Sequence, residues 1–154
     1  NSLSYMIKRG AMREEDYPYV GKTQGCAYNS SKRVWDFESC TKVDSNLTLL
    51  KSAVFNQPVI VSFDATDPKF IQYSQGIYQA PTGCGSKINH YMLAVGWGQM
   101  VLGTITKKTY YYIVVKNSFG VKWGEKGYGR IVVQTDKVPS AACGLLNEIY
   151  FPNH

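Results

Sequence analysis

The chain has 154 residues, of which 44% are hydrophobic and 18% are charged. This composition excludes a disordered chain and suffices for one folded unit over residues 1–154 with an apolar core. The net charge of +6 comes from 17 Lys and Arg that are scattered along the sequence, which indicates a solvated basic surface and no nucleic-acid partner. No apolar run reaches the roughly 18 residues that a membrane-spanning helix needs, so we expect no membrane partner.

The first third of the chain predicts two helices. Residues 2–9 carry their apolar side chains on one helical face, and Gly10 follows where a left-handed residue often ends a helix. A second helix is predicted over Asn46–Asn56, with Asn46 or Ser45 as its cap and Pro58 preventing its continuation. Between them, residues 14–19 predict an ordered surface loop.

The rest of the chain predicts strands, because β-branched and aromatic residues concentrate in short segments separated by glycine-rich turns. We therefore predict an antiparallel sheet that closes into, or close to, a barrel. The polar stretch Gln99–Thr109 between two of the strands predicts a β-hairpin extension. The predicted strands are Val59–Phe63, Tyr91–Trp97, Tyr110–Lys116, Gly129–Val133 and Asn147–Phe151.

Four cysteines are spaced too widely for a zinc site of the C-x-x-C type, and we expect no metal and no cofactor. Their even number permits disulfides without requiring them. Two N-glycosylation sequons, at Asn29 and Asn46, favour a lysosomal or secreted protein. The cysteines are Cys26, Cys40, Cys84 and Cys143.

The chain has two histidines, and one of them, His154, is the last residue. His90 is therefore the candidate general base. It stands where a predicted strand begins, which is a place where a side chain can be held rigidly. From position alone, a structural or exposed histidine is the commoner case.

Two segments carry a more specific signal. Residues 90–98 read HYMLAVGWG and residues 116–128 read KNSFGVKWGEKGY. A histidine that opens a strand ending in Gly-aromatic-Gly, followed by an Asn-Ser-aromatic-Gly block with Trp-Gly and Gly-Tyr, strongly resembles papain-like cysteine peptidases of the cathepsin L type. The resemblance continues through residues 15–19, 56–59 and 143–145, so it covers nearly the whole chain.

The resemblance implies an α+β fold, mainly the antiparallel, barrel-like right-hand domain with a few short helices and a short piece of the helical domain. It implies peptide-bond hydrolysis through an acyl-thioester, with His90 as the catalytic imidazole and Asn117 as the amide that orients it. Trp123 would pack over their contact and exclude water. Phe119 stands where the family usually has Trp, and it keeps the apolar cover while losing the indole N–H.

The same resemblance implies that the nucleophile is absent from the chain. The family places its catalytic cysteine about 130–150 residues before the histidine, which is roughly 40 to 60 positions before Asn1. The oxyanion-hole Gln belongs to the same missing segment, so we expect residues 1–154 alone to be inactive. A two-chain enzyme, with the nucleophile on a partner chain, is preferred over a fragment.

Disulfide pairing follows from the resemblance as well. Cys84 and Cys143 match a family disulfide and are expected to be bonded to each other. Cys26 resembles a cysteine whose partner lies upstream, so here it is expected to be unpaired or bonded to another chain. Cys40 matches no cysteine of the family, and a buried free thiol is expected.

Alignment from Cys143 places Glu148 at the bottom of the S2 pocket of the family. A carboxylate there would accept a basic P2 side chain, and the alternative is a solvent-facing carboxylate. On the same alignment Ser62, Ile88 and Tyr91 line the pocket, and Tyr91 occupies a place that is small in many relatives. We therefore hypothesise a reshaped pocket that accepts hydrophobic and basic P2 residues.

Two alternative functions stay open on the sequence. One is the silicatein-like branch of the fold, in which serine replaces the nucleophilic cysteine and the protein acts in silica deposition. The other is an inactive papain-fold scaffold. Intact His90 and Asn117 count against a scaffold, whereas Phe119 counts slightly for it.

Overall fold

The computed structural model describes residues 2–80, 84–85, 87–135 and 142–153. The chain divides into two compact units, Asn1–Thr41 with Pro152–His154, and Lys42–Phe151. That residues 1–154 form a single folded unit, as expected from length and composition, stays a prediction. Among the described residues, no helix combines the length and the apolar composition that crossing a membrane requires.

The first unit begins with the helix α1 (Ser2–Arg9), which confirms the helix predicted there. Gly10 ends it at a φ of 71°, and its N–H donates to the Met6 carbonyl at 2.7 Å. A Cβ at this glycine would lie 2.4 Å from the Trp35 carbonyl oxygen, so both conformation and space require glycine. The short strands β1 (Ala11–Met12) and β2 (Arg33–Trp35) then pair antiparallel.

In the second unit, the helix α2 (Leu47–Asn56) confirms the second predicted helix. The cap is Asn46, whose Oδ1 accepts the N–H groups of Thr48 at 2.8 Å and Leu49 at 3.2 Å. Leu50 and Val54 are buried one turn apart, so this face of α2 packs against the core.

The main sheet has seven strands in the order β3-β9-β4-β6-β7-β8-β5. The pairs β4–β6, β4–β9, β6–β7 and β7–β8 are antiparallel, whereas β5 adds to β8 in parallel. The strands are β3 (Ser39–Val43), β4 (Val59–Phe63), β5 (Ile77–Tyr78), β6 (His90–Leu102), β7 (Lys108–Lys116), β8 (Tyr128–Thr135) and β9 (Ile149–Asn153).

All five predicted strands exist, as β4 and β6 to β9. The predicted hairpin extension is also present, but more of it is strand than expected, because β6 and β7 pair out to Leu102 opposite Lys108. Only residues 103–107 remain as its turn. β5 and the four-residue helix α3 (Pro68–Ile71) are too short to show a periodicity. The five residues of β3, SCTKV, were missed because they do not alternate between polar and apolar.

The core lies on one face of this sheet. The first part of β6 shows the arrangement clearly, since Met92 and Ala94 are buried while Tyr91 and Leu93 are 48% and 37% exposed. A β-bulge between Ala94 and Gly96 then shifts the register, so that Trp97 pairs with Ile113 and leaves this alternation. We call the exposed side chains of Tyr91 and Leu93 the β6 outer face.

The cap of α2 gives a test of this architecture. Asn46→Ala removes the oxygen that accepts two N–H groups of the first turn, so we expect about 1 kcal/mol lower free energy of unfolding. Asn46→Ser keeps an oxygen that can cap and should stay within a few tenths of a kcal/mol of wild type. Urea unfolding of unglycosylated protein measures both, and equal losses would contradict the capping role.

Candidate active site

The sheet brings His90 and Asn117 together from positions 27 residues apart. His90 is the first residue of β6, opposite Phe63 of β4, and Asn117 directly follows β7. Because β6 and β7 are antiparallel neighbours, the start of one strand and the end of the other meet at the same edge. His90 Nε2 lies 2.8 Å from Asn117 Oδ1.

A second hydrogen bond to Asn117 shows which atom carries the hydrogen between His90 Nε2 and the Asn117 side chain. The backbone N–H of Ser118 donates to Asn117 Oδ1 at 2.8 Å, and a backbone N–H can only donate. The accepting atom is therefore the amide oxygen, so the hydrogen shared with His90 is carried by Nε2. In the neutral imidazole this leaves Nδ1 as a lone-pair acceptor, and no partner for Nδ1 is found within the described residues.

Phe119 is the ring that lies against the imidazole. Its centroid is 4.9 Å from that of His90, and the two planes are inclined by 31°. Trp123 is buried behind it and meets Phe119 edge-on at 5.9 Å. The apolar cover over His90 is thus made by Phe119, with Trp123 supporting it.

The helix α3 supplies the base of this aromatic cluster. Phe70 is fully buried, packs at 5.2 Å from Trp123 and 6.5 Å from His90, and its carbonyl accepts the indole N–H of Trp123 at 3.0 Å. Asp67 caps the helix through Lys69 N–H and also accepts the hydroxyl of Tyr78 at 2.6 Å. Neither Phe70 nor Asp67 was found from the sequence, because the Trp123–Phe70 hydrogen bond spans 53 residues and the cap of a four-residue helix leaves no pattern.

The four residues assigned to the S2 pocket are linked by contacts around β4, β6 and β9. Tyr91 donates its hydroxyl to Glu148 Oε2 at 2.6 Å, and this hydrogen bond raises the pKa of Tyr91. Ser62 is fully buried, donates to the Gly144 carbonyl at 2.7 Å and accepts the Glu148 N–H at 3.0 Å. Its hydroxyl therefore fixes the backbone that carries Glu148.

Ile88 completes this set and is half-buried. A Cβ on Gly144 would lie 2.8 Å from Ile88 Cδ1, so the isoleucine packs closely over that glycine. His154, the other histidine, lies outside the described residues. Within the described part of the chain, no cluster of three His, Cys, Asp or Glu side chains could hold a metal.

Comparison with known proteins decides the family. The sequence profile described as "Papain family cysteine protease" matches residues 1–153. The chain belongs to this family. Cathepsin K of Gallus gallus is 36% identical over 99% of the chain, and chymopapain of Carica papaya is 33% identical over 98%. The chain spans 43% and 41% of the length of these two relatives.

Solved structures agree with the papain-family assignment and confirm the α+β fold. The bromelain protease of Ananas comosus, in complex with the E64 inhibitor, superposes with a TM-score of 0.82 at 29% identity. A cysteine protease of Carica candamarcensis, in complex with E-64, gives a TM-score of 0.77 at 30% identity. This chain is covered to 99% in both cases, and it corresponds to 67% and 66% of those chains.

The loop that follows Asn117 in this papain-family chain is held by an ion pair that the sequence did not reveal. Arg130 Nε donates to Glu125 Oε2 at 3.1 Å, and the Gly76 N–H donates to Glu125 Oε1 at 3.0 Å. The Arg130 hydrogen bond is the main cause that holds the pKa of Glu125 below its usual value. Gly124, at a φ of 58°, lets the loop approach the Tyr128 carbonyl.

Two of the four cysteines form a disulfide and the other two are free thiols. Cys84 is bonded to Cys143, with 5.1 Å between their Cα atoms, and this ties the segment before His90 to the turn before β9. Cys26 is exposed and free, and a backbone hydrogen bond at Tyr28 holds the pKa of its thiol below the usual value. Cys40 is a free thiol but only half-buried, and burial raises its pKa.

The contribution of the hydrogen bond from Trp123 to the Phe70 carbonyl to stability can be tested directly. Trp123→Phe removes the indole N–H and leaves a cavity, so we expect about 1–3 kcal/mol lower free energy of unfolding. Trp97→Phe, at a partly exposed indole of β6, is the control and should cost less than about 0.5 kcal/mol. Urea unfolding that shows equal losses for the two variants would contradict this role of Trp123.

Proposed function

We propose that the chain supplies the His–Asn half of the active site of a cysteine peptidase. The observation that carries the proposal is the hydrogen bond from His90 Nε2–H to Asn117 Oδ1, which leaves Nδ1 free to exchange protons with a nucleophile. The nucleophile, a cysteine thiol, would come from a segment or a partner chain outside residues 1–154. Residues 1–154 alone are then inactive.

The reaction follows from this geometry. Nδ1 takes the thiol proton, and the resulting thiolate attacks the carbonyl carbon of the peptide. The C–N bond breaks as Nδ1–H donates its proton to the leaving amine, which leaves an acyl-thioester. A water then attacks the thioester, Nδ1 takes its proton, and the acid and the thiol are released. Asn117 stays neutral and keeps the Nε2–H bond throughout, so the ring direction is constant.

The β6 outer face supports a partner segment beside His90. Tyr91 and Leu93 are exposed apolar side chains, and together with Ile60 and Asn117 they line a groove of about 450 Å³. An exposed apolar face of this kind favours association, and the nucleophile-bearing segment must lie next to His90. The exposed thiol of Cys26 offers a disulfide to the same partner.

A lysosomal or secreted location fits the same function. Disulfides such as Cys84–Cys143 persist in oxidising compartments. Both sequon asparagines, Asn29 and Asn46, are exposed, and each caps a helical turn through Oδ1. Attachment of a glycan at Nδ2 would leave that oxygen in place, so the fold is compatible with glycosylation at either residue.

Glu148 would set the P2 preference of the peptidase. Its carboxylate is shared with the Tyr91 hydroxyl, so a basic P2 side chain would compete with a phenol for the same oxygen. The pocket therefore accepts a hydrophobic P2 side chain beside the tyrosine ring and a basic one at the carboxylate.

The catalytic assignment is tested in the protein that includes its nucleophile-bearing segment. We expect His90→Ala to abolish peptide hydrolysis and Asn117→Ala to lower kcat about 100-fold, because ring orientation is lost. Ser118→Ala is the matched control, since its backbone N–H still donates to Asn117. E-64, which is bound in the two similar structures, should inhibit the wild type.

Retained hydrolysis in His90→Ala would overturn the proposed role of this residue. A wild-type protein without peptide hydrolysis would overturn the peptidase function itself. A serine at the nucleophile position would then favour the silicatein-like alternative, and no nucleophile would favour the inactive scaffold.

The P2 preference is tested with matched peptide substrates that carry Arg or Leu at P2. Glu148→Ala removes a charge-assisted hydrogen bond, so the Arg-to-Leu ratio of kcat/KM should fall about tenfold or more. Tyr91→Phe frees the carboxylate from its phenol and should raise the ratio. An unchanged Arg-to-Leu ratio of kcat/KM in Glu148→Ala would contradict the assignment of this residue to the P2 site.

A further inference from the structure

Asp64 is a buried carboxylate to which the reaction above gives no role. It directly follows β4 and is only 2% exposed. Within the described residues, no Lys, Arg or His forms an ion pair with it. A buried charge without a counter-ion is stable only when several hydrogen-bond donors surround it.

The donors around Asp64 come from two segments. On its own side, Thr66 donates its hydroxyl at 2.6 Å and its N–H at 3.1 Å to Oδ1. From the segment before His90, the backbone N–H groups of Gly85 and Lys87 act on the same carboxylate as donors that lower its pKa. The Thr66 hydroxyl foremost, and then these backbone donors, hold the pKa of Asp64 below its usual value.

Asn89, the residue before His90, also forms hydrogen bonds with Asp64 and its neighbours. Its Oδ1 accepts the Ala65 N–H at 2.9 Å, and its Nδ2 donates to Asp64 Oδ1 at 3.4 Å. Its own N–H donates to the Phe63 carbonyl at 3.2 Å. Asn89 therefore forms hydrogen bonds with three consecutive residues at the end of β4, namely Phe63, Asp64 and Ala65.

Gly85 shows how closely the two segments approach each other. A Cβ on this glycine would lie 3.1 Å from Asp64 Oδ2, which is tighter than an ordinary contact. On the other side, the Asp64 N–H donates to the Cys143 carbonyl at 2.8 Å. Asp64 thus lies between the turn that carries Cys143 and the backbone that precedes the histidine.

We propose that Asp64 is a positioning residue for the peptidase reaction, because its buried carboxylate binds Asn89 and lies against the backbone of Gly85, and so fixes where the imidazole of His90 stands. This inference rests on the proposed function. Anchoring by an anion suits the site, since backbone N–H groups from several residues can converge on two carboxylate oxygens. A small displacement of His90 is costly, because a 1 Å misplacement of a catalytic group can lower the rate about 100-fold.

Asp64→Asn, in the protein with its nucleophile-bearing segment, tests the inference. The Asn side chain has the same shape as Asp. Its NH₂ group can only donate, so it cannot accept the hydrogen bonds that one carboxylate oxygen of Asp64 accepts. We expect kcat about 10- to 100-fold lower with KM within about twofold, since the substrate contacts are unchanged. Amide hydrogen exchange at Gly85 and Lys87 should become faster than in wild type.

Thr66→Val is the matched control. It removes the shortest bond to Asp64 but leaves the carboxylate and all donors from the histidine side, so kcat and exchange at Gly85 and Lys87 should stay near wild type. Should Asp64→Asn fail to form the Cys84–Cys143 bond, Asn89→Ala replaces it. That exposed side chain makes the same connection, and its loss should lower kcat with KM unchanged.

The outcomes separate the two proposals. Wild-type kcat in folded Asp64→Asn, or equal effects in Thr66→Val, overturns the positioning role while the peptidase function stands. Absence of hydrolysis in the wild type overturns the peptidase function. In that case, unchanged hydrogen exchange at Gly85 and Lys87 in Asp64→Asn overturns the anchoring too, and faster exchange supports it.

Discussion

The hydrogen bond from His90 Nε2–H to Asn117 Oδ1 is the contact on which the proposed chemistry depends. It exists because β6 and β7 are antiparallel neighbours, so that the first residue of one and the residue after the other share an edge. The Ser118 N–H fixes which atom of the Asn117 side chain faces the ring. A neutral amide can therefore do what a carboxylate does in a serine triad, which is to select one tautomer and one ring direction.

The surroundings hold the two residues in complementary ways. Phe119 lies on the imidazole, Trp123 lies behind it, and Phe70 joins both to the core through a ring contact and a carbonyl hydrogen bond. The other side of His90 depends on polar contacts, since the preceding residue Asn89 accepts the Ala65 N–H and donates to the Asp64 carboxylate. Excluding water strengthens the His–Asn bond, while the polar anchor sets its position.

Local pattern was enough to predict both longer helices and five strands of the main sheet, because each has a clear apolar or β-branched pattern of its own. It failed for β3, whose five residues do not alternate, and for α3 and β5, which have four and two residues and take their form from tertiary contacts. The resemblance indicated His90 and Asn117 from sequence order. Asp64 and Phe70 were missed, since the contacts that join them to the site, with Asn89 and Trp123, span 25 and 53 residues and no motif marks them.

The tautomer of His90 is the most direct test of this account. Nitrogen-15 NMR of the neutral histidine side chains reports which ring nitrogen carries the hydrogen. His154→Gln leaves a single histidine in the chain and so assigns the signals. We expect a proton on Nε2 and none on Nδ1, with this preference lost in Asn117→Ala. A proton on Nδ1 in the wild type would contradict it, because that nitrogen could not then accept the proton of a thiol.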